Sequence, residues 1–239
     1  MLEQLKKDVC KANLELVQAG LVTLTWGNVS GMSHADGLLV IKPSGVEYPA
    51  LTEESMVVVD LDGKVVEGKN RPSSDTPTHI ELYKAFSDIS GVAHTHSTYA
   101  VMFAQALKEI PCFGTTHADH FFGAVPVTRF LTEQECERAY ELNTGKVIVE
   151  RFHQLNPIAV PAVLVAGHAP FCWGKDAHDA VHNAIALEAI AKMALGTLSL
   201  SQNALTLPQH IQEKHFQRKH GPRAYYGQKD KGNDRPQTE

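Results

Sequence analysis

Apolar positions in the first turns of the chain recur at steps of three and four: Leu2, Leu5, Val9, Ala12 and Leu16. That spacing predicts a helix over 2–19, with Gly20 as its stop. The period then changes. LVTLTWGNVS reads as a strand-like run ending at Gly27-Asn28, and LLVIK at 38–42 as a strand stopped by Pro43-Ser44-Gly45. MVVVD and KVVEG flank Leu61-Asp62-Gly63, a hairpin signal. RPSSDTPTHIELYKAF predicts a helix with Thr76 as N-cap and Pro77 at its first position. GVAHTHS predicts a strand, STYAVMFAQAL a helix and AVPVTRF a further strand. Thr132 and Glu135 form a capping box for a helix to about residue 142. AVLVAGH at 162–168 reads as a buried strand. Asp176 opens a long helix with Ala180, Ala184, Leu187, Ala191 and Leu195 on one face, and a last helix covers 208–219.

Strands joined by short turns, interspersed with helices, predict one α/β domain with a mixed or mostly antiparallel sheet. No repeat, linker or composition break divides the chain. From Lys229 the sequence KDKGNDRPQTE is polar, and a disordered tail is expected there. The 239 residues suffice for one large core, and a hydrophobic share of 43% with 21% charged is ordinary for a soluble globular chain. A net charge of -5 with no basic run argues against nucleic acid or an anionic membrane as partner. No apolar stretch reads as long enough to cross a bilayer. Cys10, Cys112, Cys136 and Cys172 form no C-x-x-C pair and no disulfide framework, which predicts a reducing, cytoplasmic setting.

Histidine is abundant, at 13, so only spacing singles any of them out. In VAHTHS, His94 and His96 lie two apart at a strand end, where side chains share a face. Neutral imidazoles so placed suit zinc, and equally suit two ordinary histidines on a sheet edge. VLVAGHAP repeats the pattern with His168. Three histidines leave a fourth position open, as a catalytic metal site does. TWGNVS, KPSG and PSSD are rich in polar groups and glycine at element ends. Serine hydroxyls and N–H groups at a helix start, with Lys42 near, suit a phosphate; turn chemistry explains the same residues. No nucleotide-binding glycine motif is present. TTHADHFFG places His117, Asp119 and His120 in a loop, with Asp119 as an acid/base, a ligand or a cap; KHFQRKHGPRAYYGQ gathers His215, His220, Tyr225 and Tyr226, which equally suit a surface segment docking on a neighbouring subunit.

Taken together, TLTWGNVS, VIKPSGV, PSSDTPTH, HTHS, TTHAD, PFCWGKDAHDAVHNA and KHGPRAYYGQ resemble the class II (zinc) aldolase–epimerase family, in its pentulose-phosphate epimerase branch. The resemblance spans 1–228. It implies a three-layer fold with helices on both sides of the sheet. It implies one Zn2+ per subunit, with His94, His96 and His168 as ligands and Asp75 as a further group at the metal. Gly27, Asn28, Lys42, Ser44, Gly45, Ser73 and Ser74 are the implied substrate and phosphate contacts. Asp119 and Tyr226 are the implied opposed acid/base pair, and a homotetramer with the site at a subunit interface is implied. Relatives carry glycine where this chain has Ala169. A positive φ there would strain the loop holding His168; a negative one would change nothing.

The implied reaction interconverts L-ribulose 5-phosphate and D-xylulose 5-phosphate at C4. Because C4 bears no acidic proton, the route is retro-aldol cleavage of C3–C4 and re-addition to the other aldehyde face. One rival is an aldolase on a related sugar phosphate such as L-fuculose 1-phosphate. The family's aldolases typically carry glutamate where this chain has the shorter Asp75, which favours the epimerase. A sugar-phosphate dehydratase is a further enzymatic option. The rival of another class, an adducin-like binding module, lacks the metal histidines.

Overall fold

The computed structural model describes residues 2–226. The expected tail from Lys229 lies outside them. Seven strands form one sheet in the order β4-β3-β2-β1-β5-β7-β6. They are β1 (Asn28–Ser33), β2 (Leu38–Ile41), β3 (Val57–Asp60), β4 (Val65–Glu67), β5 (Gly91–His94), β6 (Ala162–Leu164) and β7 (Pro170–Gly174). Every neighbouring pair is antiparallel.

Strand alternation divides the core in two. Val29, Val40, Val58 and Ala93 face a layer built from α1 (Leu2–Gln18), α3 (Thr98–Gln105) and α6 (Ala177–Leu200). Leu39, Ile41, Val57, Val59 and Val92 face α2 (Thr76–Ala85) and α5 (Glu133–Arg151). The result is three layers, helices on both faces of the sheet. Two further helices, α4 (Thr115–Ala118) and α7 (Gln209–His220), pack on each other to one side.

Several local expectations shift. The run at 21–27 is not a strand, because Leu24 (φ 56°) and Gly27 (φ 111°) take left-handed conformations and Trp26 N–H donates to Thr23 O; the strand starts at Asn28 instead. AVPVTRF makes only isolated bridges, Val125 with Ile110 and Val127 with Leu164, and Pro126 has no N–H to extend a ladder. The helix capped by Thr132 and Glu135 runs on to Arg151 across a break at Ala139 (φ -165°, ψ 73°). The N-cap of α2 is Asp75 rather than Thr76, so Pro77 falls at the second helical position. Pro170–Gly174, read only as part of a motif, is a fully buried strand. Contrary to the sequence expectation, one helix, α6, is long and apolar enough by length and composition to cross a membrane. Its Ala180, Ala184, Leu187 and Ala191 are instead buried against the sheet layer, and Glu188 accepts from the N–H groups of Tyr99 and Ala100.

One buried side chain anchors the strand that carries the site. Asn13, fully buried on α1, donates to Val9 O (2.8 Å) and Val29 O (3.1 Å) and accepts from Val29 N–H (2.9 Å). The ladder with β2 begins only at Ser30, so Asn13 supplies the partners that β2 does not. Asn13→Leu strands both backbone groups of Val29 in the core, and a loss of about 2–4 kcal/mol is expected in denaturant unfolding. An unchanged midpoint would refute this assignment.

Candidate active site

The register of the sheet builds the site. Asn28 on β1 lies opposite His94 on β5, and His94 lies opposite Phe171 on β7. All three stand at the same end of the sheet. The His94 ring stacks on Phe171, with centroids 4.2 Å apart and planes at 18°. His94 is the last residue of β5, so His96 sits in the loop beyond the strand rather than on it. That loop runs into α3, whose first N–H groups are held by Glu188. His168 comes from the tight connection between β6 and β7. There Gly167 takes the left-handed conformation (φ 67°), while Ala169, fully buried, does not have a positive φ. The alanine therefore costs the loop nothing.

The three rings converge. Their centroids are 4.9, 5.0 and 5.1 Å apart, and one nitrogen from each lies within 4.8 Å of the others. His94 Nδ1 is 2.9 Å from Pro170 O, a carbonyl that can only accept. The proton is thus on Nδ1 and the Nε2 lone pair faces inward, the tautomer that a histidine ligand needs. His94 Nε2 and His96 Nε2 are 3.2 Å apart. With N–metal bonds of about 2.0–2.1 Å, tetrahedral geometry separates two ligand nitrogens by about 3.3–3.4 Å. His168 Nδ1 is buried with no hydrogen-bond partner among the described residues, a nitrogen that a protein leaves unpaired at a cost. The donor set fits a divalent ion.

Asp75 stands beside the triad, its Oδ2 4.0 Å from His94 Nε2. Although it caps α2, its carboxylate accepts none of the helix N–H groups; it accepts from Asn28 Nδ2 at 2.6 Å instead. Burial would raise this carboxyl, but His94, His79 and the Asn28 amide together hold it below the ordinary carboxylate value. Gly27 precedes Asn28 at φ 111°, and a Cβ there would meet His94 O at 2.9 Å. Glycine is therefore required both by conformation and by the closeness of the ligand strand.

The same cleft, about 440 Å³, takes in the loops expected to hold phosphate. Ser44 N–H donates to Arg71 O and Ser73 N–H to Lys42 O, which ties the segment carrying Ser44 and Gly45 to the one carrying Ser73 and Ser74. Lys42 is almost fully buried. Its ammonium donates to Val46 O (2.9 Å) and Pro43 O (3.3 Å) and lies 4.8 Å from the Tyr48 ring centre. Burial lowers its pKa. Two of its three N–H donors are engaged, leaving one for a ligand. The Tyr48 hydroxyl, in turn, donates to Gly27 O at 2.8 Å.

Asp119 and Tyr226 do not line this cleft. Asp119 follows the single turn of α4 and is gripped by α7: Arg218 donates to both carboxylate oxygens (3.0 and 2.6 Å), and His215 lies 3.0 Å away. Burial raises its carboxyl, and these partners outweigh burial to lower it. Tyr226 is more than half exposed under the Arg218 guanidinium. Within one chain the two sit on one patch rather than facing each other across the cleft.

Some cleft residues escaped the sequence reading. The break at Ala139 carries Tyr140 and Glu141 into the wall; Asn143 Nδ2 donates to Glu135 O and Thr78 Oγ1 to Glu141 O around it. Tyr140 stands with its ring centre 6.2 Å from that of His168. Trp26 lies 6.0 Å from His96. Behind the site, His79 is fully buried, with Nδ1 2.7 Å from Ser30 Oγ.

Helices on both faces of an antiparallel sheet, with a histidine triad that could hold a metal ion and polar loops sharing one cleft, give the architecture of an α/β enzyme with a candidate metal centre at one end of its sheet. Residues 7–195 match the family described as Class II Aldolase and Adducin N-terminal domain, and the chain belongs to that family. It is 54% identical over 228 residues to L-ribulose-5-phosphate 4-epimerase UlaF of Salmonella paratyphi A, covering 95% of this chain and all of that one; the Salmonella typhi protein of the same name matches equally. Among solved structures, an L-fuculose 1-phosphate aldolase superposes with a TM-score of 0.75 at 27% identity, over 89% of this chain and 94% of that one. The L-fuculose-1-phosphate aldolase of Thermus thermophilus, at 23% identity and a TM-score of 0.66 over 85% and 98%, shares the fold.

Burial lowers His96 and His168 to about 4, with the other triad imidazoles adding to the effect; burial also lowers His117 to about 4 and His79 to about 3. An unfolded histidine titrates near 6.5. Between these values the unfolded chain binds more protons than the folded one, so stability falls as pH falls. Metal-free protein is expected to lose thermal stability steadily from about pH 6.5 towards 4. A midpoint that is flat across that window would contradict the neutral, buried state of these rings.

Proposed function

We infer that this chain interconverts L-ribulose 5-phosphate and D-xylulose 5-phosphate by inversion at C4. The observation that carries the reading is the near-full-length identity with proteins bearing that activity in their name, in a chain whose histidine triad and phosphate loops share one cleft. The aldolase reading rests on a more distant structural relative, and the short Asp75, held back by Asn28, argues against it.

The substrate is a β-hydroxy ketone, so its C3–C4 bond is the one that can be broken and remade. Lys42, Ser44, Gly45, Ser73 and Ser74 bind the phosphate and keep the aldehyde fragment in place while it turns. His94, His96 and His168 hold a divalent ion, with Asp75 beside them; zinc suits three neutral imidazoles and an open position. When bound, the ion polarises the substrate carbonyl and stabilises negative charge on the adjoining oxygens. One proton-transfer group takes the C4 hydroxyl proton as the bond breaks. A second returns a proton to the new C4 oxygen on the other face. Asp119 and Tyr226 take these roles.

Neither group lines its own chain's cleft, so both serve the cleft of a neighbouring subunit. This supports a homotetramer with the site at subunit interfaces. The four cysteines are all free, which supports a cytoplasmic setting.

Purified enzyme given L-ribulose 5-phosphate is expected to form D-xylulose 5-phosphate without releasing free aldehyde, and to stop when the metal is chelated. His96→Ala should abolish turnover. Tyr226→Phe should keep the metal and slow turnover by about 10²-fold or more. Free aldehyde from L-fuculose 1-phosphate would favour the aldolase reading, and chelator-resistant epimerisation would refute the metal's role.

A further inference from the structure

Asp119 and Tyr226 lie 107 positions apart in sequence, yet one residue joins them. The Arg218 guanidinium donates through Nε to Asp119 Oδ1 (3.0 Å) and through Nη2 to Asp119 Oδ2 (2.6 Å), a two-pronged grip. The same guanidinium lies 4.8 Å from the centre of the Tyr226 ring. The backbone carbonyl of Arg218 accepts from the N–H groups of Tyr225 (3.0 Å) and Tyr226 (3.1 Å), which turns the chain back over its own side chain. One residue thus fixes both a carboxylate and a phenol, by side chain and by main chain.

From this geometry we propose that Arg218 is a positioning residue that makes Asp119 and Tyr226 a single unit, presented together to the substrate. The inference rests on the epimerase reading above. The attachment lies at the end of α7, and α7 packs on α4, whose last turn leads into Asp119. No other described residue both hydrogen-bonds Asp119 and lies over the Tyr226 ring. Lys219 reaches that ring, also at 4.8 Å, and acts on Asp119 through its charge, but it makes no hydrogen bond to it. His215 and His220 bind Asp119, through its side chain and its backbone carbonyl, without touching Tyr226.

Two proton-transfer groups are useful only if their spacing is fixed, since misplacement by about 1 Å costs on the order of 10²-fold in rate. A bidentate planar cation sets the orientation of a carboxylate, which an ammonium on a flexible stem does not. The charged surroundings of Asp119 are Arg218, His215, Lys219 and His220 from α7, and His120 beside it. Asp179, on α6, acts on His120. Arg218 and His215, by hydrogen bonds, and Arg218 and Lys219, by charge, lower the Asp119 carboxyl. Removing the guanidinium removes one of the two side chains that hydrogen-bond the carboxylate, together with its charge, and should raise its titration.

The test compares wild type, Arg218→Gln, Arg218→Lys and Arg218→Gln combined with Asp119→Asn, all full-length and metal-loaded. Arg218→Gln is expected to lower kcat about tenfold or more, to leave KM within about threefold and to leave metal content unchanged. The acid limb of its kcat profile should move up by about one pH unit. Arg218→Lys should restore the pH profile better than the rate, because it returns the charge without the fork. In the Asp119→Asn background the Gln substitution should add little, as coupled groups are not additive. Wild-type kcat and pH dependence in Arg218→Gln, or a full additional loss in the double variant, would overturn the proposal. If wild type itself fails to epimerise, the functional reading fails. The positioning claim is then decided by the 13C titration of the Asp119 carboxyl, which must move upward in Arg218→Gln and would sink the claim by staying still.

Discussion

Three imidazoles with nitrogens within 4.8 Å of one another cannot share a cleft with more than one of them protonated. Two protonated rings at that distance would repel strongly in a site from which water is partly excluded. The fold keeps two of the rings neutral by burial, which lowers His96 and His168 to about 4. It also sets the tautomer of His94, by giving its Nδ1–H the carbonyl of Pro170. Unprotonated nitrogens aimed at one point form a poor structural cluster and a good ligand set. Asp75 adds a carboxylate beside them, and its own bond to Asn28 keeps it from simply capping the helix it begins.

That arrangement is a product of strand register. A shift by one residue between β1 and β5, or between β5 and β7, would break the row of Asn28, His94 and Phe171 and turn His94 to the other face of the sheet. Register in turn depends on supports far from the chemistry, such as Asn13 holding Val29 from the helix below. The loops that bring Lys42, Ser44, Ser73 and Ser74 to the cleft are tied to one another by main-chain bonds, so the polar loops proposed for phosphate and the histidine triad line one cleft in one frame. The proton-transfer candidates belong to a second frame, α4 with α7, hinged on Asp119 and Arg218. The reading proposed above lays this second frame of one subunit against the cleft of another.

Much of this was legible in the sequence. The helices stood out because their apolar positions keep the helical period and because Thr132, Glu135 and Asp176 carry visible capping chemistry. The triad histidines stand out because apolar runs precede both His94 and His168, although the strand expected over 162–168 ends at Leu164 and His168 lies in the turn beyond it. What stayed hidden was set by tertiary contact. The run before Asn28 has strand composition, yet positive φ at Leu24 and Gly27 folds it into turns. The break at Ala139 has no proline or glycine to announce it, so Tyr140 and Glu141 could not be placed in the cleft wall. His96 joins the cluster from the loop beyond β5 and not, as two-residue spacing on a strand suggests, from the strand itself. The grip of Arg218 on Asp119 joins residues 99 apart and has no local signature.

The most direct test is titration of metal-free protein with Co2+, followed by absorption spectroscopy at the cobalt edge. The account predicts saturation at one ion per chain, intense visible bands of a four- or five-coordinate centre, and a first shell with three imidazole nitrogens that loses one of them in His168→Ala. A weakly absorbing six-oxygen centre, or a shell unchanged by loss of His168, would contradict it.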